Sequence, residues 1–284
     1  MAERRTTDGS AGRALAGRAV VIVGGTTGLG LSAARACVGA GAKVFVCGRD
    51  PRNLQQAITD LSARAGSDDA VRGSSSDATD PRAATEAIDQ CVRAFGRFDA
   101  LYHVAGGSGR RFGDGPLHQV TDAGIDQTLR LNLNSAIYSA RAGCQAMLNA
   151  GTGGSILLMG SVLGFSPSPT HFATHVYAAT KSAVVGLVRS CAAFYARNDI
   201  RFNVIAPALV ETPMAGRAAG DEQIRHFIRT KQPLDGGRIG RPEDLDDAVV
   251  WLLSEGSRYV TGQTIVVDGG WSVSEGQLHP EHPR

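Results

Sequence analysis

The sequence predicts an α/β protein in which helices cover both faces of a doubly wound parallel sheet within a single domain. Three observations predict this fold. Short apolar runs alternate with helix-like segments along the chain, and no linker interrupts them. The runs are continuously apolar, as expected for strands buried on both faces. A glycine-rich segment, residues 24–30, follows the first run, where parallel sheets bind ligands.

The predicted elements alternate in the order expected for such a sheet. Strands are predicted at residues 19–23, 43–47, 70–74, 100–104, 155–159, 202–205 and 264–267. Helices are predicted at residues 29–38, 51–65, 81–95, 126–150, 176–197 and 242–253. Residues 1–14 and 273–284 are polar and lack periodicity, so we expect them to be tails around a domain of residues 15–272.

Composition excludes several other classes of protein. Apolar residues make up 43% of the 284 residues, enough for a full core, and the net charge is only +2 with scattered charges. We therefore expect no nucleic-acid partner. No apolar run reaches the length of a membrane span, so no membrane partner is expected either. The five cysteines form no metal or redox motif, and their odd number without a signal peptide predicts a cytoplasmic protein. No metal-ligand spacing occurs.

The loop after the first predicted strand has the pattern of a dinucleotide site. Gly24, Gly28 and Gly30 stand at G-x-x-x-G-x-G spacing. Glycine allows the backbone to approach a pyrophosphate, and the N–H groups of the following helix point at the phosphates. The alternative is an ordinary glycine-rich turn. The other loop residues predicted to contact the cofactor are Thr26, Thr27 and Leu29.

The end of the second predicted strand bears on the choice of cofactor. An acidic residue there would bind the ribose hydroxyls of NAD, and a basic one would bind the 2′-phosphate of NADP. Gly48 provides no acid, and the guanidinium of Arg49 matches a phosphate, which favours NADP(H). Asp50 keeps NAD(H) open. The alternative for Arg49 is a solvated neighbour of a helix cap.

A pair of ionisable residues suggests acid–base chemistry. Tyr177 and Lys181 are four residues apart and would share one helix face. A phenol titrates near pH 10, and a neighbouring cation lowers that pKa. Ser161 follows the fifth predicted strand, where its hydroxyl can bind a substrate oxygen. Asn132, in an apolar helix stretch, is a further candidate for this site. The alternative is a structural amide whose hydrogen bonds are satisfied within the fold.

Together these motifs resemble the short-chain dehydrogenase/reductase family in its one-domain Rossmann-fold form. The resemblance extends from about Leu15 to Ser272 and is closest to 3-oxoacyl-thioester reductases. It rests on motifs in a fixed order: the Gly24/Gly28/Gly30 loop, Ser75-Ser76-Asp77, Ala105-Gly106, Asn132, Ser161, Tyr177 with Lys181, the segment from Pro207 to Thr212, and Val267-Asp268-Gly269-Gly270.

The resemblance implies a role for each matching residue. Tyr177 would be the general acid in reduction and the base in oxidation, and Ser161 would orient the carbonyl. Lys181 would lower the pKa of Tyr177 and hold the nicotinamide ribose, and Asn132 would support a water chain to Lys181. Asp77 would bind adenine. The remaining cofactor positions are Ala105, Gly106, Pro207, Val210 and Thr212. A homotetramer or homodimer is also implied.

Two departures from the family pattern stand out. The usual Asn-Asn-Ala-Gly is replaced by His103-Val104-Ala105-Gly106, so His103 either replaces an amide brace or simply packs. The stretch between Ser161 and Tyr177 is a few residues longer than usual, which predicts a reshaped substrate pocket. His171 and His175 within it either contact substrate or form ordinary loop hydrogen bonds.

Two further segments are candidates for contact with a small carbonyl or alcohol substrate. Arg110 and Arg111, in the glycine-rich loop 107–115, either meet an anionic group or are solvated. The segment 212–235 carries an amphipathic run, Ile224, Phe227 and Ile228, and is a hypothetical lid.

The sequence therefore predicts NADPH-dependent reduction of a ketone, 3-oxoacyl-like or another small ketone, to a secondary alcohol. An NAD-dependent alcohol dehydrogenase working oxidatively is the alternative. A non-catalytic, cofactor-sensing regulator is more remote, because such a protein would be expected to lack the Tyr–Lys pair.

Overall fold

A computed structural model of the chain describes residues 13–276, which form one seven-stranded parallel sheet covered by helices. The strands are β1 (Ala19–Val23), β2 (Lys43–Gly48), β3 (Val71–Ser75), β4 (Ala100–His103), β5 (Gly154–Met159), β6 (Ile200–Pro207) and β7 (Thr264–Val267). Their order in the sheet is β3-β2-β1-β4-β5-β6-β7, and every neighbouring pair is parallel. The predicted doubly wound fold is confirmed. Most of each predicted tail, residues 1–12 and 277–284, lies outside the described range.

Helices pack on both faces of this sheet. They are α1 (Gly28–Gly39), α2 (Pro51–Ala65), α3 (Ala83–Phe95), α4 (Asp122–Leu129), α5 (Ser135–Ala150), α6 (His175–Tyr195), α7 (Gly216–Gly220), α8 (Glu222–Lys231) and α9 (Asp246–Leu253). Alternate residues of β1 enter different cores. Val21 belongs to the apolar cluster with α3, α5 and α6, whereas Val20 and Ile22 belong to the cluster with α1, α2 and α9.

The helix predicted at residues 126–150 differs most from the structure. It begins four residues earlier, at Asp122, because the Thr121 hydroxyl accepts a hydrogen bond from the Gly124 N–H at 3.0 Å and caps α4. A π-helical turn, Arg130–Asn134, then joins α4 to α5. Such turns commonly occur at functional sites, and this one contains Asn132.

Four of the five cysteines are buried as small apolar side chains, and none forms a disulfide. Burial raises the pKa of the Cys47 thiol to about 11 and that of Cys37 to about 12. These thiols are therefore protonated and inert at neutral pH. Within residues 13–276, no helix is both long and apolar enough to cross a membrane.

The strand order places a crevice where a ligand can bind. From β1 the chain builds the sheet outward to β2 and β3, then returns to add β4 on the other side of β1. At this reversal the loops after β1 and β4 diverge to opposite faces, leaving a gap at the carboxyl edge. Both loops carry predicted site residues.

Candidate active site

A cavity of about 430 Å³ opens at the carboxyl edge of the sheet. Every predicted site residue except Asn132 lines it, namely Gly24, Thr26, Thr27, Gly28, Leu29, Gly30, Arg49, Asp77, Ala105, Gly106, Ser161, Tyr177, Lys181, Pro207, Val210 and Thr212. Within the described part of the chain, no group of three or more His, Cys, Asp or Glu side chains is placed to hold a metal ion.

The first βα turn fits a dinucleotide cradle. Gly24 and Gly28 adopt left-handed φ values of +92° and +52°, which glycine tolerates best. A Cβ atom on Gly30 would overlap the carbonyl oxygen of Gly24, so the turn can close only with glycine there. No side chain caps the first turn of α1. Its N–H groups therefore remain available for phosphate oxygens.

The end of β2 is shaped by steric contact as well as by charge. A Cβ atom on Gly48 would overlap the Thr26 hydroxyl, so an acidic side chain does not fit at Gly48. The Asp50 carboxylate caps α2 by accepting hydrogen bonds from the N–H groups of Arg52 and Asn53 at 2.7 and 3.3 Å. Arg49 is exposed and lines the cavity. Among the described residues, its guanidinium forms no side-chain hydrogen bond or salt bridge.

Asp77 lies at the far end of the cavity, after β3. Its carboxylate accepts hydrogen bonds from the backbone N–H and the hydroxyl of Thr79, both at 2.9 Å. Burial acts to raise the pKa of Asp77, but these hydrogen bonds and the positive charge of Arg49 outweigh it, and the net pKa is lowered. Asp77 is therefore an ionised hydrogen-bond acceptor at neutral pH.

Tyr177, Lys181 and Ser161 meet in the cavity. The Lys181 ammonium is buried, donates to the Met159 carbonyl at 2.9 Å and lies 5.5 Å from the centroid of the Tyr177 ring. Burial lowers the pKa of Lys181 to about 8. Burial also raises the pKa of Tyr177, an effect that the hydrogen bond with Ser161 partly offsets. The expected lowering of the phenol pKa by Lys181 stays a prediction.

Asn132 is buried behind the cavity wall and uses its amide structurally. Its Oδ1 accepts from the Gly107 N–H at 3.0 Å, and its Nδ2 donates to the carbonyls of Gly107 and Thr128 at 2.9 and 3.1 Å. The amide therefore holds the loop after β4. A Cβ atom on Gly106 would lie 2.8 Å from Asn132 Oδ1 and 3.7 Å from Lys181 Nζ. The water-chain role remains untested.

Asp114 has a role that the sequence did not reveal. Its buried carboxylate accepts hydrogen bonds from the N–H groups of Val176 and Tyr177 at 3.1 and 2.8 Å. It thus caps α6, whose local cap position, Thr174, makes no side-chain bond. Asp114 lies about 60 residues upstream, so no local capping pattern could identify it. It holds the turn that carries the phenol.

Gln232 was also missed, and it supports the other side of the cavity. Its Oε1 accepts from the Leu209 N–H at 3.1 Å, and its Nε2 donates to the Leu209 carbonyl at 3.2 Å. The side chain therefore pairs with a backbone segment as a strand would. This holds the loop after β6, which carries Val210 and Thr212.

His103 is held between two serines of α5. Its Nδ1 lies 2.9 Å from Ser139 Oγ, and its Nε2 lies 3.2 Å from Ser135 Oγ. Ser135 already donates to the Leu131 carbonyl, so we assign the proton to Nε2, with Nδ1 accepting from Ser139. Burial, assisted by the charge of Lys181, lowers the pKa of His103 to about 3. His103 thus braces β4 as a neutral side chain.

The lengthened segment after Ser161 forms an apolar wall. Phe172 and Trp271 both line the cavity, with ring centroids 5.7 Å apart. Neither predicted histidine lines it. His175 Nδ1 accepts from the Leu117 N–H at 3.1 Å, and the His171 ring packs on Phe227 with centroids 4.8 Å apart. His175, the first residue of α6, therefore forms an ordinary hydrogen bond and His171 packs against an aromatic ring, whereas contact of either with a substrate stays a prediction.

The two remaining candidate segments also have residues at the cavity. Arg110 lines it, whereas Arg111 lies over the Phe112 ring, 4.5 Å from its centroid, and points elsewhere. From the hypothetical lid, Ala215 and Arg217 line the cavity, as does Ala218. The lid segment is therefore in contact with the site, as the hypothesis requires.

We expect Asp114→Ala to destabilise the protein by about 2 kcal/mol, because two charge-assisted hydrogen bonds at the start of α6 are lost. Chemical denaturation measures this, and amide hydrogen exchange should accelerate at Val176 and Tyr177. Asp221→Ala is the matched control, since Asp221 caps α8 in the same way. Unchanged exchange at the start of α6 would show that Asp114 does not hold this turn.

We expect His103 to make stability fall in acid. Between pH 6.5 and about 3, His103 is protonated in the unfolded chain but neutral in the folded protein. Its contribution to the free energy of unfolding is therefore fully present above pH 6.5 and is lost below it by up to about 1.4 kcal/mol per pH unit. In His103→Asn this contribution should vanish, seen as a shallower pH dependence of the unfolding free energy. His226→Asn is the control, because His226 is an exposed residue of α8. Identical slopes for His103→Asn and wild type would contradict the neutral assignment.

Comparison with known proteins agrees with this geometry. The family model described as enoyl-(acyl carrier protein) reductase matches residues 23–272. An L-rhamnose 1-dehydrogenase (NAD(P)(+)) from Sphingomonas sp. (strain SKA58) is 31% identical over 264 residues, covering 92% of this chain and 98% of the relative. An NADP-dependent (R)-specific alcohol dehydrogenase from Lentilactobacillus kefiri is 33% identical over 260 residues, covering 91% and 98%.

A solved structure shows the same architecture. A short-chain type dehydrogenase/reductase from Mycobacterium ulcerans superposes with a TM-score of 0.84 at 31% identity, covering 92% of this chain and 91% of that one. With the family match over most of the chain, the fold and the site together identify this protein as a member of the short-chain dehydrogenase/reductase family, a single-domain NAD(P)-dependent oxidoreductase acting on carbonyl or alcohol substrates.

Proposed function

We propose that this protein reduces a ketone to a secondary alcohol with NADPH. The observation that carries the proposal is the meeting of the Tyr177 phenol, the Ser161 hydroxyl and the Lys181 ammonium in the cavity that also contains the glycine cradle. A proton donor, a hydrogen-bond donor and a cation are what a developing alkoxide requires. Small ketones, including 3-oxoacyl compounds, are the proposed substrates.

The proposed chemistry divides between the cofactor and the chain. A bound nicotinamide supplies the hydride. Ser161 and Tyr177 hold the carbonyl oxygen, and the Tyr177 phenol gives it a proton as negative charge develops. The resulting phenolate is stabilised by the Lys181 ammonium, whose pKa of about 8 leaves it mostly charged at neutral pH. Asn132, anchored next to Lys181, would support the return of a proton.

The cradle residues fit a dinucleotide. The uncapped N-terminus of α1 would hold the pyrophosphate, and the ionised Asp77 would accept a hydrogen bond from adenine. Ala105 and Gly106 would face the ribose. After β6, Pro207, Val210 and Thr212 would hold the carboxamide, on a loop supported by Gln232.

NADP(H) is favoured over NAD(H) by contacts at the end of β2. No acidic side chain fits at Gly48, and the Asp50 carboxylate is engaged in capping α2. Arg49 lines the cavity there, and a guanidinium has the geometry to bind a 2′-phosphate. NAD-dependent oxidation of an alcohol is the alternative, in which the Asp50 carboxylate, which also lines the cavity, would accept the ribose hydroxyls.

A cytoplasmic location and a homotetramer or homodimer complete the proposal. The free cysteines fit a reducing compartment. Ile137 and Leu148 on α5, and Phe194 on α6, are exposed apolar side chains that a partner copy could cover. Light scattering of the purified protein measures its mass, and the mass of a single chain would refute the oligomer.

We expect Tyr177→Phe to lower turnover of ketone by about 10²–10⁴-fold, because the proton donor is lost, while NADPH still binds. Steady-state kinetics and fluorescence titration of NADPH measure the two effects. Tyr195→Phe is the matched control, because Tyr195 lies on the same helix but stacks on Phe202 away from the cavity. Full turnover by Tyr177→Phe with bound cofactor would refute the mechanism.

We expect Arg49→Ala to weaken NADPH binding by about tenfold or more, the value of one charge-assisted contact, and to leave NADH binding nearly unchanged. Titration of each cofactor by fluorescence measures this. The neighbouring exposed Arg52, which pairs with Asp50 and does not line the cavity, supplies the control Arg52→Ala. Equal effects of Arg49→Ala on both cofactors would remove the basis for NADPH.

A further inference from the structure

Positive charge is concentrated in one half of the cavity. The half lined by loops after β2 and β3 has Arg49 together with Asp50 and Asp77. The half lined by loops after β4, β5 and β6, with α6 and α7, has three cations, Arg110, Lys181 and Arg217. Among the described residues that line this second half, there is no carboxylate. Lys181 belongs to the catalytic group, which leaves two arginines without a role.

Arg110 and Arg217 lie close enough to affect each other. Burial and the positive charge of Arg217 both lower the pKa of the Arg110 guanidinium. Arg110 Nη2 also donates to the His171 carbonyl at 3.3 Å, which holds the guanidinium beside the apolar wall. Two cations on one cavity repel each other unless an anion lies between them.

No carboxylate of the described residues forms an ion pair with either arginine. Asp114, whose charge acts on Arg110, is committed to two backbone N–H groups of α6. Both guanidinium groups are therefore free to bind an anion from outside, and paired guanidiniums match the oxygens of a carboxylate or phosphate.

We propose that the ketone substrate carries an anionic oxygen group, a carboxylate or a phosphate, and that Arg110 and Arg217 bind it while Ser161 and Tyr177 hold the carbonyl. The apolar wall of Phe172 and Trp271 then contacts the carbon chain between the two groups. This inference rests on the proposed reduction of a ketone, and it adds the substrate class and the two residues that select it.

Matched pairs of charged and neutral ketones test the proposal. The carboxylate pair is 4-oxopentanoate and its methyl ester, and the phosphate pair is dihydroxyacetone phosphate and dihydroxyacetone. Binding is measured to the NADP+ complex, where no reduction occurs, from the fluorescence of Trp271 in a Trp251→Phe background. Trp251 lies on α9 and does not line the cavity, so its removal leaves Trp271 as the reporter. Reduction with NADPH is measured in parallel.

At least one charged probe should bind more tightly than its neutral partner and be reduced with the higher kcat/KM. Arg110→Ala and Arg217→Ala should each weaken the binding of that charged probe about tenfold or more. They should change the binding of its neutral partner less than twofold. Arg111→Ala is the matched control, since Arg111 points away from the cavity, and should change neither. The pair that shows the preference identifies the anion.

Several outcomes would overturn the inference. They are equal binding of charged and neutral partners in both pairs, no binding of either charged probe, or a preference that survives both arginine substitutions. Weaker NADPH binding by Arg217→Ala without substrate would assign that arginine to the cofactor and also overturn it. Failure of the proposed reaction looks different: the charged probe would bind preferentially but neither ketone would be reduced. Reduction without any charge preference would support the proposed ketone reduction and overturn only the inference about an anionic group.

Discussion

The first turn of α6 is the part of the molecule on which the candidate site depends. It carries Tyr177, and the next turn carries Lys181, yet helix ends fray unless their N–H groups are satisfied. Asp114 satisfies two of them from the loop after β4. The start of the same loop is fixed at Gly107 by Asn132. One loop, anchored at both ends, therefore joins β4, the π-helical turn and α6.

Burial in this region sets the charge of its ionisable groups. His103 lies between two serines as a neutral ring, and Lys181 keeps its proton near pH 7 with the Met159 carbonyl as its acceptor among the described residues. Both pKa values are lowered mainly by burial. A neutral His103 adds no charge beside the ammonium, so β4 is braced without a further cation next to Lys181. Burial likewise raises the pKa of the Tyr177 phenol, so the phenol keeps its proton unless a neighbouring group stabilises the phenolate.

Local patterns in the sequence were enough to predict the strands, the glycine cradle and the Tyr177–Lys181 pair, and the family resemblance added further residues that line the cavity. These features depend on neighbouring residues, as in the Gly24–Gly30 contact within one turn. What was missed depends on contacts between distant segments. Asp114 caps a helix about 60 residues away, and Gln232 pairs with a loop more than twenty residues earlier. The π-helical turn and the five-residue helix α7 have no comparable periodic signal, whereas the amphipathic run of Ile224, Phe227 and Ile228 lies on α8.

The two halves of the cavity differ in what determines them. In the cofactor half, a Cβ atom on Gly30 would overlap the Gly24 carbonyl and one on Gly48 would overlap the Thr26 hydroxyl, so the cradle leaves little freedom for substitution. In the substrate half, Phe172 and Arg110 come from loops, where insertions are tolerated, and Arg217 comes from the short helix α7. Arg110 reaches the cavity and Arg111 does not, although they are adjacent. The proposed recognition of an anionic substrate would therefore depend on side-chain direction within a loop, which no sequence motif encodes.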